Sequence, residues 1–289
     1  MTEPQRVVLL VFSGVFGLVV GSFLNVCIFR LPRNCMSLVR PRSRCPRCLG
    51  FIAWYDNIPL FSWLALGGRC RRCGAPISPR YLVVELLAGG LFLYAGWRQL
   101  YGSSAAPPER AVRFALEAAF VGALIACSFI DLEFRILPDE ITIPGLLVAL
   151  GASGLFPFLQ EWRPPFPREP HLAGLAASGL GALAGGGAVY AVGRFGEFLF
   201  RKEAMGLGDV KYLAMAGAVL GWKGVLLAFF LACLFGSLFG IVRFVAVRRM
   251  GYVPFGPFLS SGALVMLFAS GWVDRAIRWY KDLILGLGR

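Results

Sequence analysis

The feature that most constrains this chain is a succession of long apolar runs. The first, from Val7 to Phe29, contains no charged residue, and about 20 apolar residues suffice for a membrane-spanning helix. A cleaved signal peptide is the alternative, but the run is too long for one. Arg30 and Arg33 follow it, where a signal peptide has a small-residue cleavage site. We therefore interpret residues 1–29 as the first transmembrane span.

Composition also favours a membrane protein. Of the 289 residues, 57% are hydrophobic and 16% are charged, whereas soluble domains contain about 25% charged residues. The net charge of +13 suggests nucleic acid at first sight. The basic residues, however, cluster in loops between apolar runs, a pattern typical of topology signals and of contacts with acidic lipid headgroups. We expect a lipid bilayer as a partner and no nucleic acid.

Further apolar runs predict seven more spans, at about residues 81–97, 112–130, 141–155, 172–192, 209–220, 224–245 and 253–272. The prediction is an all-α polytopic membrane protein of about eight transmembrane helices. The sixth span is short, and Gly221-Trp222-Lys223 is expected to turn it into the seventh. The predicted organisation is a first span at 1–29, a small cytoplasmic domain at 30–80, and spans two to eight at 81–289.

Residues 30–80 form the one substantial polar insertion, with ten arginines and a single acid, Asp56. The positive-inside rule places this insertion in the cytoplasm. It holds two Cys-x-x-Cys pairs, Cys45 with Cys48 and Cys70 with Cys73. Paired knuckles at this spacing predict a tetrahedral zinc site, and a reducing cytoplasm disfavours the alternative of disulfides. Four thiolates leave no open position, so we interpret the zinc as structural.

The apolar residues between the two knuckles allow two interpretations. They form either a small core or a membrane-facing surface, and they comprise Trp54, Ile58, Leu60, Phe61, Trp63 and Leu64.

The chain has one histidine, His171, so its chemistry is expected to use Asp, Glu, Cys or a cofactor. Asp209 follows Gly206-Leu207-Gly208 at the start of the sixth span, and Asp131 ends the third. A carboxylate at the mouth of an apolar helix is costly and marks a functional candidate, although capping a helix is the alternative for a lone Asp. The predicted topology puts both acids at the cytoplasmic boundary. Two carboxylates that share a water, one protonated and one ionised, can hydrolyse a peptide bond.

Asp139 is the rival of Asp131 as the partner of Asp209. It lies between Pro138 and the fourth apolar run, where capping that helix already accounts for it. We therefore prefer Asp131. The acids Glu133, Glu140 and Glu203 are interpreted as solvated loop charges.

Several ordered motifs resemble those of the bacterial type IV prepilin peptidases over nearly the whole chain. They are Gly21-Ser22-Phe23-Leu24-Asn25, the two Cys knuckles flanking Asn57-Ile58-Pro59-Leu60, Ile77-Ser78-Pro79-Arg80-Tyr81, Val84-Glu85-Leu86-Leu87, Asp131 with Leu137-Pro138-Asp139, Gly206-Leu207-Gly208-Asp209, and Pro254-Phe255-Gly256-Pro257-Phe258. The resemblance implies an aspartic protease of the Gly-x-Gly-Asp type in the inner membrane, with Asp131 and Asp209 as its pair. It implies cleavage of type IV prepilins and pseudopilins after a Gly on the cytoplasmic side.

The resemblance also implies N-methylation of the new N-terminal residue, usually Phe, with S-adenosylmethionine as methyl donor. The sequence contains no glycine-rich loop of a soluble methyltransferase. We assign the donor site to Gly68 and Arg69, beside the second knuckle, together with Glu85. The family often has Gly-Lys where this chain has Gly68-Arg69.

Two other classes of function remain open. A transporter with intramembrane carboxylates as a proton relay is one, but it predicts acids near the bilayer midplane. A zinc-anchored platform of a secretion machine is the other, and it would tolerate the loss of either Asp.

Overall fold

The computed structural model describes residues 2–33, 37–38, 40, 42–160, 162, 164, 167–201, 205–247 and 253–285. Within these ranges the secondary structure is helical, with two isolated antiparallel bridges and no strand. The α-helices are α1 Glu3–Arg30, α2 Phe61–Ala65, α3 Arg80–Trp97, α4 Pro107–Phe134, α5 Asp139–Leu155, α6 Pro170–Phe200, α7 Leu207–Val247 and α8 Gly256–Leu285. A π-helical turn, Arg98–Gly102, extends α3.

The predicted class of all-α multi-pass membrane protein is confirmed. Among the described residues, five helical segments are long and apolar enough to cross a membrane: Glu3–Arg33, Pro107–Phe134, Pro170–Leu199, Leu207–Ala246 and Gly256–Val273. The second and fourth predicted spans coincide with α3 and α5, which have 18 and 17 residues. The count of about eight spans stays a prediction.

Local sequence signals explain several helix boundaries. A capping box starts α1, because the side chain of Gln5 accepts a hydrogen bond from the backbone N–H of Thr2 at 2.9 Å. Prolines occupy the first turns of α4 and α6, where a missing N–H costs nothing. Both helices end at an arginine in the left-handed conformation, Arg135 and Arg201.

The chain divides into two compact units, residues 1–140 and 141–289. In the first unit, α1 and α3 run antiparallel with their backbones in close contact. A Cβ on Gly17 would lie 2.6 Å from the carbonyl oxygen of Ala88, and one on Gly21 would lie 2.8 Å from the Cα of Glu85. Small residues at this spacing permit such an approach, as is common between membrane helices.

In the second unit, α7 reverses direction at Gly221, whose φ of 71° and ψ of 170° interrupt the helix. Gly185 of α6 lies against the carbonyl oxygen of Leu213 and also against the side chain of Val225. The chain therefore passes the same point of α6 on both sides of Gly221. The turn predicted at Gly221-Trp222-Lys223 is thus confirmed, and α7 consists of a first arm, 207–220, and a second arm, 222–247.

Buried polar contacts join the helices of the second unit. The side chain of Gln160 donates to the hydroxyl of Ser153 and to the carbonyl of Ala218, both at 2.9 Å. The hydroxyls of Tyr212 on α7 and Ser260 on α8 lie 2.6 Å apart. Buried polar groups need such partners in an apolar interior.

The sequence predicts a division at residues 29 and 80, which are the limits of the polar insertion. The two compact units of the structure divide at residue 140 instead, so they do not test that division, and it stays a prediction.

Candidate active site and candidate metal centre

The four cysteines of the two knuckles come together in the first unit. The sulfur atoms of Cys45, Cys48, Cys70 and Cys73 all lie within 4.8 Å of one another, and those of Cys45 and Cys73 are 3.8 Å apart. A tetrahedron with metal–sulfur bonds of about 2.3 Å has sulfur–sulfur edges of about 3.8 Å. The cluster therefore fits a metal ion bound by four thiolates.

The two knuckles have the same backbone geometry. Arg44 bridges Phe51 as Arg69 bridges Pro76. The N–H of each first cysteine donates to a carbonyl five residues on: Cys45 to Gly50 at 3.0 Å, and Cys70 to Ala75 at 2.8 Å. In the sequence, only the cysteine spacing indicates this repeat.

The surroundings of the cluster shift the pKa values of two of its thiols. The backbone N–H of Cys48 and its neighbours lower the pKa of the Cys45 thiol to about 6, which favours the thiolate that metals bind. The Ala75 backbone acts in the same direction on Cys73, but burial and the neighbouring sulfurs outweigh it and raise the pKa of that thiol to about 11. The pKa values of Cys45 and Cys73 are thus shifted in opposite directions, and a cation at the centre of the cluster would favour the thiolate form.

Two contacts hold the loop between the knuckles in place, one at Asp56 and one at Leu60. Arg71 binds Asp56 through Nε and Nη2, with contacts of 2.7 to 3.0 Å. Its hydrogen bonds hold the pKa of the Asp56 carboxyl below the usual value. On the other side, the backbone N–H of Leu60 donates to Oε2 of Glu85 at 2.8 Å. Glu85 is 8% exposed and also bonds Ser22, so α1, α3 and the loop meet at one carboxylate.

The residues predicted for the methyl donor occupy two places in this unit. Gly68 has a φ of 65° and lies beneath the ring of Trp63, while its carbonyl accepts from the N–H of Ile77 at 2.7 Å. Arg69 follows directly and forms the bridge that opens the second knuckle. Glu85 is the carboxylate of the Leu60 contact.

Asp131 lies in the last turn of α4, at 6% exposure. Its carbonyl oxygen accepts the N–H of Arg135, the left-handed residue that ends the helix, at 3.0 Å. Asp139 is the first residue of α5 and is exposed. The rival acids therefore differ, one buried at the end of a helix and the other in solvent at the start of the next.

Asp209 lies in the first turn of α7 and is partly exposed. Its Oδ2 accepts the N–H of Gly206 at 3.2 Å, and its own N–H donates to the carbonyl of Gly206 at 3.1 Å. These contacts match the capping alternative for this residue. They also point the carboxylate back toward the Gly206 loop, at the positive end of the helix dipole.

The interpretation of Glu133 as a solvated loop charge is incomplete, because this exposed residue lies in the last turn of α4 and forms ion pairs. Its carboxylate binds Arg80 at the start of α3 and lies 3.7 Å from Nη2 of Arg33, just past the end of α1. Arg33 also stacks on Phe29, with its guanidinium carbon 3.9 Å from the ring centre. Glu140 is exposed, and Glu203 lies outside the described residues. The Glu133 contacts join residues 53 and 100 positions apart, so local sequence carried no signal for them.

Fold and site define a multi-pass membrane protein with a four-cysteine cluster that fits a metal ion and with acids at two helix ends. Two family models match the chain: the Bacterial Peptidase A24 N-terminal domain over residues 15–99, and the Type IV leader peptidase family over residues 118–241. The chain belongs to the type IV leader peptidase family.

Similar proteins carry the name prepilin leader peptidase/N-methyltransferase. The one from Myxococcus xanthus is 40% identical over 83% of this chain, which spans 65% of that relative's length. The one from Aeromonas salmonicida is 36% identical over 94% of this chain and 93% of its own length. The one from Legionella pneumophila is 32% identical over 92% of each. No solved structure matches the chain.

Proposed function

We propose that this protein is an aspartic endopeptidase of the inner membrane. Its substrates are type IV prepilins and pseudopilins, from which it removes the leader peptide after a Gly on the cytoplasmic side. In this proposal Asp131 and Asp209 act as a pair. The observation that carries it is the position of the two acids, at opposite kinds of helix end, in a chain of the leader peptidase family.

In the proposed mechanism one acid of the pair is ionised and the other is protonated. The ionised acid takes a proton from water as the water oxygen attacks the scissile carbonyl carbon, and the protonated acid donates to the carbonyl oxygen. The tetrahedral intermediate then collapses, the C–N bond breaks, and the amine leaves with a proton from the pair.

The proposed orientation follows from charge. Arg30 is the last residue of α1, Arg33 follows it, and the next part of the chain carries eight more arginines up to Arg80. This excess of arginine supports a cytoplasmic location for this side of the membrane. A prepilin with its apolar helix in the bilayer and its leader in the cytoplasm brings the scissile bond to that boundary.

We further propose that the four-cysteine cluster binds structural zinc and that residues 30–80 form its domain, between a first span at 1–29 and spans two to eight at 81–289. Cys48→Ser or Cys70→Ser in the purified protein is expected to lose the bound zinc measured by mass spectrometry. Cys233→Ser, which removes a cysteine outside the cluster, is the matched control and keeps its zinc. Full zinc content in the knuckle variants would rule out this metal site.

The second proposed activity is methylation of the new N-terminal amine, with S-adenosylmethionine supplying the methyl group. Gly68, Arg69 and Glu85 are the residues proposed to hold this donor. Support for a ligand near Glu85 comes from Asn25, on the same face of α1 as Gly21. The Oδ1 atom of Asn25 is buried and lacks a hydrogen-bond partner. Buried acceptors normally have one, so an N–H or O–H of a bound ligand could fill this position.

The peptidase is tested by prepilin cleavage in membranes with the wild type, Asp131→Asn, Asp209→Asn and Asp139→Asn, each checked for insertion. Loss of cleavage in the first two variants, with activity retained in the third, supports the pair. If Asp139→Asn is inactive and Asp131→Asn is active, the partner of Asp209 is Asp139 rather than Asp131. Cleavage by all variants would refute the proposed mechanism. The methyl transfer is tested separately, by the mass of the mature N-terminal peptide with Glu85→Gln and Arg69→Ala.

A further inference from the structure

The loop between the knuckles carries apolar side chains on its outside. Trp54, Ile58, Phe61 and Leu64, which we call the apolar loop surface, are 81%, 41%, 67% and 64% exposed. Their polar neighbour Ser62 is 6% exposed. Its hydroxyl donates to the carbonyl of Tyr55 at 2.7 Å and accepts from the N–H of Ile58 at 2.9 Å. The segment is therefore polar inside and apolar outside, as a segment is when its surroundings are lipid.

The exposed fractions of these loop side chains can be compared with those of lipid-facing side chains in the first span. Val8 and Phe12 of α1 are 67% and 62% exposed, and a spanning helix presents such side chains to lipid. Of the two interpretations left open by the sequence, a small core does not describe the apolar loop surface. A contiguous exposed patch of large apolar side chains marks a surface with a partner.

The contact between Leu60 and Glu85 sets the depth of the loop. Glu85 is five residues into α3, which is about 7.5 Å along the helix axis. Its Cα faces Gly21, nine residues or about 13.5 Å before Arg30 along α1. Because the Leu60 N–H reaches the Glu85 carboxylate, the loop packs against the Arg80 end of α3 and the neighbouring part of α1. The apolar loop surface therefore lies beside two helices of the membrane domain.

The charge around this surface has one sign. Arg42, Arg44, Arg47, Arg69 and Arg72 are exposed, and the single acid of the loop, Asp56, is bound by Arg71. Arginines beside exposed aromatic side chains are typical of proteins that lie in the boundary between acidic headgroups and acyl chains.

We propose that the apolar loop surface is inserted into the leaflet at the Arg30 end of α1, with the surrounding arginines on acidic phospholipid headgroups. The metal-binding loop is then an interfacial element of the membrane domain rather than a domain in free solution. The lipid is favoured over a protein partner because the exposed arginines of the loop match acidic headgroups, and because the loop is bound to the start of α3. The inference uses the proposed membrane topology and not the peptidase activity.

The test uses the full chain in vesicles of phosphatidylethanolamine and phosphatidylglycerol. Trp54 fluorescence is obtained as the difference between the wild type and Trp54→Phe. Lipids brominated near the headgroup end of the acyl chains quench from the membrane, and iodide quenches from water. Trp63→Phe gives the matched control, since Trp63 is an indole of the same loop packed on Gly68.

The expected result is that brominated lipid quenches the Trp54 component about twofold more than the Trp63 component, and that iodide quenches it little. Replacing phosphatidylglycerol with a neutral lipid, or raising the salt concentration, is expected to weaken this quenching, because screening weakens headgroup contacts. Quenching of Trp54 by iodide alone would overturn the proposal. So would iodide quenching that disappears when prepilin is added, which would identify the surface as a substrate contact.

Discussion

Arg80, at the first residue of α3, binds the carboxylate of Glu133 in the last turn of α4. Arg33 approaches the same carboxylate from beyond the end of α1. Because Glu133 is two residues after Asp131, these contacts fix the end of the helix that carries Asp131. The candidate acid is thus positioned by three elements of the first unit.

Removing the charge of Glu133 tests this arrangement. Glu133→Gln is expected to lower kcat for prepilin cleavage about tenfold with little change in KM, since misplacing a reacting group slows chemistry more than binding. Loss of a partly exposed ion pair is expected to cost about 1 kcal/mol of unfolding free energy. Glu140→Gln removes an exposed charge nearby and is the control. Equal kcat in the two variants would deny Glu133 a positioning role.

Close packing of α1 on α3 makes Gly17 intolerant of a side chain. Gly17→Ala is expected to lower the free energy of unfolding by about 1 to 3 kcal/mol, because its Cβ meets the backbone of Ala88 and the Cβ of Phe92. Gly90→Ala on α3 faces open space and is expected to gain up to about 1 kcal/mol from helix propensity. Thermal unfolding in detergent compares the two, and a stabilised Gly17→Ala would contradict the helix packing described here.

The repeated knuckle geometry predicts opposite effects at two matched positions. Leu49 and Gly74 both have positive φ, 57° and 67°, which costs a leucine about 1 to 2 kcal/mol. Leu49→Gly is expected to strengthen metal retention against a chelator, and Gly74→Leu to weaken it. If both substitutions weaken retention equally, backbone strain is not what distinguishes the knuckles.

The ion pair of Asp56 with Arg71 predicts a pH dependence. The pKa of Asp56 is lowered in the folded loop from the usual 3.8, chiefly by hydrogen bonding to Arg71. The pair therefore contributes its full stability above about pH 4 and loses it as pH falls through the lower, folded pKa. Pepsin digestion of the loop is expected to be faster in Asp56→Asn than in the wild type near pH 4, with the two rates converging at lower pH. If the ratio of these two digestion rates does not change with pH, groups other than Asp56 cause the acid sensitivity of the loop.

Features encoded locally were predictable from the sequence. Uncharged apolar runs located the helices, Gly221 with Trp222 and Lys223 located the reversal, and cysteine spacing located the four-cysteine cluster. In each case neighbouring residues carry the physical cause.

Contacts between distant residues were not predictable. Glu133 meets Arg33 across 100 residues, and Leu60 meets Glu85 across 25. In both cases the partners are far apart in the sequence, so no local pattern indicates which residues meet. The pairing of Asp131 with Asp209 is of the same long-range kind and stays a prediction.

The reversal at Gly221 has a consequence for the bilayer itself. The first arm of α7, 207–220, spans about 21 Å, whereas the hydrocarbon core is about 30 Å thick. In the proposed topology Trp222 and Lys223 lie at one interface, and the other end of the arm then stops short of the opposite headgroups. Such hydrophobic mismatch is relieved by local thinning of the membrane. The protein would then bring water down to Asp209, rather than require the substrate helix to rise out of the lipid.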